Sequence, residues 1–279
     1  MTLPTHDASE KNVFGLFGCV LQKTVVMERL PLLTDGVVGL SSCEGSLVDQ
    51  LWTSNAISQK VLGVCFAKEI RRRPSRLRPA GRVGFLSMGM DFEEQFDGSN
   101  MVWSKLNENS CLLSAKLHSI VIGNKRIAIK SGDGTMDGGT TVAFDTGCEM
   151  SYFGKDVFDK ILEALATFTM KGHYIESQDN FSAVAGEERT TASPIHDFPA
   201  LEFRFVGDPP VTKLQPLIIQ PQNYLGWDAK EKLLCVNILE ELDDSELSLL
   251  GVDSMREHLF EFDMEYHRVR WKPSSDCKL

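Results

Sequence analysis

Apolar residues recur through most of this chain at every second position in short runs, the two-residue period of strands with one buried face. Leu117 to Ile122 and Arg126 to Lys130 flank Gly123-Asn124-Lys125, a turn suited to a hairpin, and Leu201 to Val206 alternates as a half-buried strand should. Near the end, Leu259 to Phe262 and Arg268 to Trp271 flank Asp263-Met264-Glu265-Tyr266-His267 as a second hairpin. Only two segments carry the helical period. They are Ser46 to Ile57 and Lys155 to Phe168, and in the latter Val157, Phe158, Ile161, Leu162 and Leu165 form one stripe that reads as core packing. The class is mainly β.

Composition narrows the function classes. A chain of 279 residues with 42% hydrophobic and 24% charged residues can bury one large core or two smaller ones. Its formal charge of -10 argues against a general nucleic-acid binder, which needs positive charge facing phosphates. No apolar run approaches the roughly 18 residues that span a bilayer. Met1-Thr2-Leu3-Pro4-Thr5-His6-Asp7 lacks a charged then apolar leader, so the chain as written is expected to be neither secreted nor membrane-anchored. The single strongly basic stretch, Arg71-Arg72-Arg73-Pro74-Ser75-Arg76-Leu77-Arg78-Pro79, is broken by prolines and reads as a solvated linker, with a processing site or an anion-binding patch as alternatives.

The seven cysteines are scattered and include no Cys-x-x-Cys pair for zinc or redox exchange. They are expected to be mostly free thiols, with one or two disulfides if the chain is secretory. Cys277-Lys278-Leu279 resembles a peroxisomal tripeptide, a match too short to assign an address. Asp133-Gly134-Thr135-Met136-Asp137-Gly138 is a poor calcium loop, because Thr135 replaces the second acidic ligand and Phe144 stands where the closing glutamate belongs. It reads as a flexible loop. No His-Glu-x-x-His, Gly-x-Ser-x-Gly or phosphate-cradling glycine loop occurs, so neither a metal nor a nucleotide is implied and no cofactor is expected.

The sharpest local feature is Thr141-Val142-Ala143-Phe144-Asp145-Thr146-Gly147, an apolar strand that runs into a carboxylate, a hydroxyl and a glycine. Such a strand delivers the carboxylate to a tight turn, and the glycine lets the backbone approach a facing element. Alone, the tripeptide is weak evidence, since Asp-x-Gly is also an ordinary turn. A repeat strengthens it. Val37-Val38-Gly39 and Leu249-Leu250-Gly251 each place two apolar residues before a glycine that leads toward a short helix, and Asp145 lies 106 residues from both Gly39 and Gly251. The spacing describes a duplicated lobe cut partway through its first copy.

With these residues the sequence resembles the pepsin-like aspartic peptidases. Leu249-Leu250-Gly251-Val252-Asp253-Ser254-Met255-Arg256, then Phe262-Asp263 and Arg268-Val269-Arg270-Trp271, is similar to that family's final glycine loop, arginine-bearing helix and terminal hairpin. Asp35-Gly36-Val37-Val38-Gly39-Leu40 with Ser46-Leu47-Val48-Asp49-Gln50-Leu51 resembles the equivalent place in the first lobe. Phe198-Pro199-Ala200-Leu201-Glu202-Phe203 with Pro221-Gln222-Asn223-Tyr224-Leu225 resembles a stretch of the plant-type branch. The resemblance runs from about residue 11 to 272.

It implies a mainly β, bilobal pepsin-like fold with an incomplete first lobe: 1–67 as the remnant, 68–82 as a basic inter-lobe linker and 83–279 as a complete second lobe. It also implies an aspartic-type endopeptidase acting on peptide or protein substrates. In that family two aspartates flank a water; one activates it as general base and the other, protonated, polarises the scissile carbonyl. Carried over, Asp145 is the catalytic residue of the second lobe, Thr146 the hydroxyl that ties the lobes, Gly147 the close-approach residue and Cys148 a further support of the site. The resemblance also points to a secretory, vacuolar or lysosomal setting.

The sequence departs from the family in three places. No first Asp-Thr-Gly or Asp-Ser-Gly occurs, so the chain alone is expected to have little or no activity. A non-catalytic peptide-binding or protein-interaction module is the alternative, and self-association through the truncated lobe is a further expectation. Cys148 stands where the family has a hydroxyl donating to the catalytic carboxylate, and a thiol is a weaker donor. Cys235 occupies one half of a disulfide position of the plant-type branch, with no cysteine between Gly154 and Leu234 to complete it.

Overall fold

The alternating segments assemble into sheets in a computed structural model. It describes residues 2–4, 10–12, 37–68, 84–90, 92–97, 102–129, 139–169, 173–178, 181–186, 195–210, 213–228, 233–241, 247–275 and 277. Asp35, Gly36, the basic stretch 71–79 with nearly all of the 68–82 linker, the 133–138 loop, Lys278 and Leu279 lie outside these residues.

The largest sheet has the order β13 (Gln215–Ile219), β12 (Leu201–Phe205), β6 (Ser114–Ile122), β8 (Thr140–Phe144), β17 (Ser248–Leu250), β9 (Ser151–Phe153) and β16 (Ile238–Glu240), with β7 (Lys125–Ala128) as a hairpin partner of β6. Strand β12 shows why this register holds. Leu201, Phe203 and Phe205 are fully buried while Glu202 and Arg204 lie half-exposed, so a one-residue slip would turn the whole apolar set outward. Two of the pairings are parallel, β17 with β8 and β16 with β9.

A second sheet has the order β4 (Gly84–Met88), β3 (Val61–Phe66), β18 (His258–Asp263), β19 (Arg268–Pro273) and β5 (Ser104–Lys105). It joins distant parts of the chain, because β3 pairs antiparallel with β18. A four-stranded sheet contains β10 (His173–Gln178), β11 (Phe181–Gly186), β15 (Leu233–Val236) and β14 (Leu225–Asp228), and β1 (Thr2–Pro4) pairs with β2 (Glu10–Asn12).

The two main sheets meet in an aromatic cluster centred on Phe144, whose ring lies 5.4 to 6.3 Å from those of Phe205, Phe260, Phe262 and Trp271. On the opposite face of β18 the charges are compensated. The buried Glu261 accepts from Arg270 Nε at 2.6 Å, and Arg270 also reaches Glu93 at 2.9 Å. Burial pushes the Glu261 carboxyl up against the opposing pull of Arg270.

The helices are α1 (Leu47–Thr53), α2 (Glu93–Phe96), α3 (Lys155–Ala166) and α4 (Val252–Met255). Ser46 caps α1 by accepting from the Asp49 backbone N–H, and Asp49 reaches back to the Gly45 N–H at 2.7 Å. This helix is shorter than the expected Ser46 to Ile57, because Ser54 ends it and Asn55 takes a positive φ of 56°. The stripe on α3 buries Phe158, Ile161, Ala164 and Leu165.

The cysteines correct the expectation of mostly free thiols. Cys43 is bonded to Cys111 and Cys65 to Cys277, across sequence separations of 68 and 212 residues. Only the three-dimensional fold brings these pairs together, and no local spacing announces them. Cys148 remains a thiol, and Cys235 is buried in β15.

Candidate functional site

Strand β8 ends at Phe144, and the next residue, Asp145, leaves the sheet into the turn. Its backbone N–H donates to the Leu250 carbonyl at 3.0 Å, so the parallel neighbour β17 fixes where the turn begins. The Asp145 Oδ1 accepts from the Gly147 N–H at 2.8 Å, which sets the carboxylate's rotamer. A Cβ at Gly147 would sit 3.2 Å from that same oxygen, a tight contact that a side chain there would relieve only by shifting the carboxylate. Among the described residues, no second carboxyl is hydrogen-bonded to Asp145.

Thr146 is exposed and lines a cavity of about 370 Å³ together with Leu40, Val64, Phe66, Phe85 and Leu86. Its hydroxyl makes no hydrogen bond among the described residues. Cys148 sits close enough to Asp145 to feel its charge. Burial pushes the thiol's pKa up, and the neighbouring Asp145 carboxylate pushes it further. The Met150 backbone N–H acts in the opposite direction, favouring the thiolate. The structure thus brings Asp145, Thr146, Gly147 and Cys148 into one turn that faces residues of the chain's first section across an apolar space.

Beneath this turn lies a set of supporting residues that sequence patterns barely reveal. Gly251 packs so closely on the Glu149 and Met150 carbonyls that no side chain fits, and its N–H donates to Ser151 Oγ at 3.0 Å. Ser151 Oγ in turn shares a 2.7 Å hydrogen bond with Ser254 Oγ, and both hydroxyls are buried. Asp253 accepts from Asn237 Nδ2 and from Arg256 Nε, each at 3.0 Å, and Arg256 Nη1 continues to the Ala67 carbonyl at 3.3 Å. The arginine of the glycine loop's helix was visible in the sequence as part of a motif. The serine pair, 103 residues apart, had no signal of its own.

Among the described residues, no group of three or more His, Cys, Asp or Glu side chains is placed to hold a metal ion, and no helix is long and apolar enough to cross a membrane.

A family model described as xylanase inhibitor C-terminal matches residues 114–273, more than half of the chain. Two curated relatives, both named as an aspartic proteinase, come from Oryza sativa subsp. japonica and subsp. indica. They are 23% and 21% identical, with 91% and 97% of this chain aligned to 59% and 62% of theirs. The crystal structure of basic 7S globulin from soybean superposes with a TM-score of 0.64 at 18% identity, covering 90% of this chain and 60% of the globulin chain. This chain therefore spans about three fifths of the length of the relatives it matches.

Proposed function

Since the chain belongs to the xylanase inhibitor C-terminal family, a group of the pepsin-like relatives of aspartic peptidases, we propose that Asp145 is one carboxylate of a two-aspartate peptidase centre. Its mainly β architecture is the pepsin-like fold. The observation that supports this role is the Asp145 turn itself: a strand delivers the carboxylate, a parallel neighbour fixes its backbone, and the Gly147 N–H holds its Oδ1.

Two facing carboxylates cannot both ionise cheaply, so one stays protonated and the pair can serve as base and acid to a bound water. A single carboxylate lacks the acid partner. The chain by itself is accordingly a half-site, expected to bind peptide weakly and cleave none. Joined to a first lobe carrying the other aspartate, it becomes an aspartic-type endopeptidase that hydrolyses peptide bonds through an activated water.

The test is cleavage of a denatured protein substrate at acidic pH. The 279-residue chain should leave it intact, whereas the chain joined to such a first lobe should cleave it and lose at least about a thousand-fold in kcat with Asp145→Asn. Undiminished cleavage by that variant would remove Asp145 from the chemistry. Cys148 and the inhibitor in the family's description favour a second reading, a non-catalytic module that binds peptide or protein. Tight peptide binding with no turnover in the joined protein would select it.

A further inference from the structure

The two disulfides stand differently toward solvent. Cys65 and Cys277 are 0% and 1% exposed, sealed in a small apolar cluster with Phe92, Phe96 and Leu259. Cys43 is half-buried and Cys111 is exposed, and both lie in loops rather than in strands. Thiol–disulfide exchange needs a thiolate to reach one of the two sulfurs, so exposure decides which bridge a reductant can open in the folded chain.

The accessible bridge holds one wall of the candidate site. Residues 37–45 form a strip whose Leu40 packs against the core and lines the cavity beside Thr146. Beyond the contacts of this strip with α1, its hydrogen bonds among the described residues end on the same short loop as the bridge. The Ser42 N–H donates to the Cys111 carbonyl at 3.1 Å, and Ser42 Oγ donates to the Ser110 carbonyl at 3.2 Å. Val37 and Val38 are exposed. Helix α1, directly after the strip, is anchored by other means: Val48 and Leu51 are buried, and Asp49 pairs with Lys60 at 2.6 Å. A short strip that ends at a firm helix is thus tied by one covalent bond to the loop before β6.

We propose that Cys43–Cys111 is a reducible tether that regulates access to the cavity beside Thr146. A dithiol reductant opens it in the folded chain, the strip 37–45 swings away with Leu40, and the cavity loses that wall while Cys65–Cys277 stays closed. The two remaining surface hydrogen bonds do not hold the strip, since water can replace them at little net cost. The chemistry balances. One thiolate of the reductant attacks the exposed Cys111 Sγ, the S–S bond breaks, and Cys43 leaves as a thiolate that takes up a proton. The reductant's second thiolate then attacks the reductant sulfur of the mixed disulfide and releases Cys111, which is protonated in turn; two electrons have passed to the protein and the reductant ends as a disulfide. As regulation of the half-site this rests on the reading of Asp145 given above, but the opening itself does not, and it is measured without any cleavage.

The test holds the full chain, folded with both bridges, in about 1 mM dithiothreitol at about pH 8 without denaturant, followed by alkylation and peptide mass mapping. Cys43 and Cys111 should become alkylated at least about ten-fold sooner than Cys65 and Cys277. Hydrogen exchange then reads the strip: the amides of residues 39–47 should exchange at least about ten-fold faster once the bridge is open, with those of β3 and β18 unchanged. The paired Cys43→Ser and Cys111→Ser variant should show that fast exchange with or without reductant. If it does not fold, reduction of the unsubstituted chain decides alone. Three results would overturn the proposal. One is reduction of Cys65–Cys277 as early as Cys43–Cys111. A second is selective opening that leaves exchange at 39–47 within about two-fold of the bridged chain. The third is faster exchange that spreads through β3 and β18, which would make the bridge a staple of the whole fold rather than a tether of one wall.

Discussion

Replacing Ser151 with alanine should loosen the loop that fixes Asp145, and the cost can be worked from the contacts. Ser151 Oγ accepts from the Gly251 N–H at 3.0 Å and shares a 2.7 Å bond with Ser254 Oγ, all in a site closed to solvent. Removing it orphans two buried polar groups, each costing about 1–3 kcal/mol, so Ser151→Ala should destabilise the chain by roughly 2–6 kcal/mol. Ser254→Ala leaves Ser151 still bonded to Gly251 and should cost about 1 kcal/mol. The double variant orphans only the Gly251 N–H. Its loss should equal that of Ser151→Ala or fall below it, so the pair is non-additive by about 1 kcal/mol or more. Urea unfolding with both disulfides intact reads this directly. At a slope of about 2–3 kcal/mol per molar, Ser151→Ala should move the midpoint down by roughly 1 M or more. Additive losses, or a Ser151→Ala shift inside about 0.5 kcal/mol, would refute the claim that these hydroxyls hold the loop.

Three other perturbations have defined signs. His258 is buried and its native pKa is held below the ordinary 6.5 by that burial, although Glu257 and the Arg256 carbonyl oppose the shift. Its stabilising share is therefore complete above the unfolded value and is lost as pH falls through 6.5 toward the native value. Between about pH 7.5 and 5, the unfolding free energy should fall more steeply in the unsubstituted chain than in His258→Gln, by at most about 1.4 kcal/mol per pH unit; equal slopes would contradict the burial argument. Paired Cys43→Ser and Cys111→Ser changes open a bridge across 68 residues and should cost about 4 kcal/mol by the loop-entropy argument, seen as a lower urea midpoint without reductant, and reducing agent should lower it further by opening Cys65–Cys277 as well. Phe144→Ala removes the hub of the aromatic cluster and should cost about 3–5 kcal/mol in the same assay, while a loss below about 1 kcal/mol would show that the cluster collapses to fill the space.

The parts of this fold legible in the sequence are those set by short-range patterns. Leu201 to Val206 alternates and becomes β12, Gly123 and Asn124 turn β6 into β7, and the stripe from Val157 to Leu165 becomes one face of α3. The candidate site was legible for a different reason. The equal spacing of Gly39, Asp145 and Gly251 singled out the Asp145 turn, and the structure places the Asp145 N–H on the carbonyl of Leu250, next to Gly251. What escaped was non-local. The disulfide partners sit 68 and 212 residues apart, and Ser151 meets Ser254 only because β9 and α4 converge. Neither pairing leaves a periodic trace, since it depends on where the elements dock rather than on what each one is.

The origin of the contacts also bears on how independent the proposed half-site is. The bonds that fix Asp145 come from Gly147 and Leu250, and those that fix the Leu250–Gly251 loop come from Ser151, Ser254, Asn237 and Asp253. All lie after residue 140. Among the described residues, one hydrogen bond of this network, from Arg256 to the Ala67 carbonyl, reaches the chain's first section. The carboxylate is therefore held by residues after 140, and what the first section adds is a wall: Leu40, Val64 and Phe66, facing Thr146 across the cavity. A site of this construction can keep its geometry while its partner lobe varies or is supplied by another chain, because the orienting bonds do not cross the gap. Under the proposed function, an apolar occupant of the space beside Thr146 would leave Asp145 well oriented but without the second carboxyl that proton sharing requires.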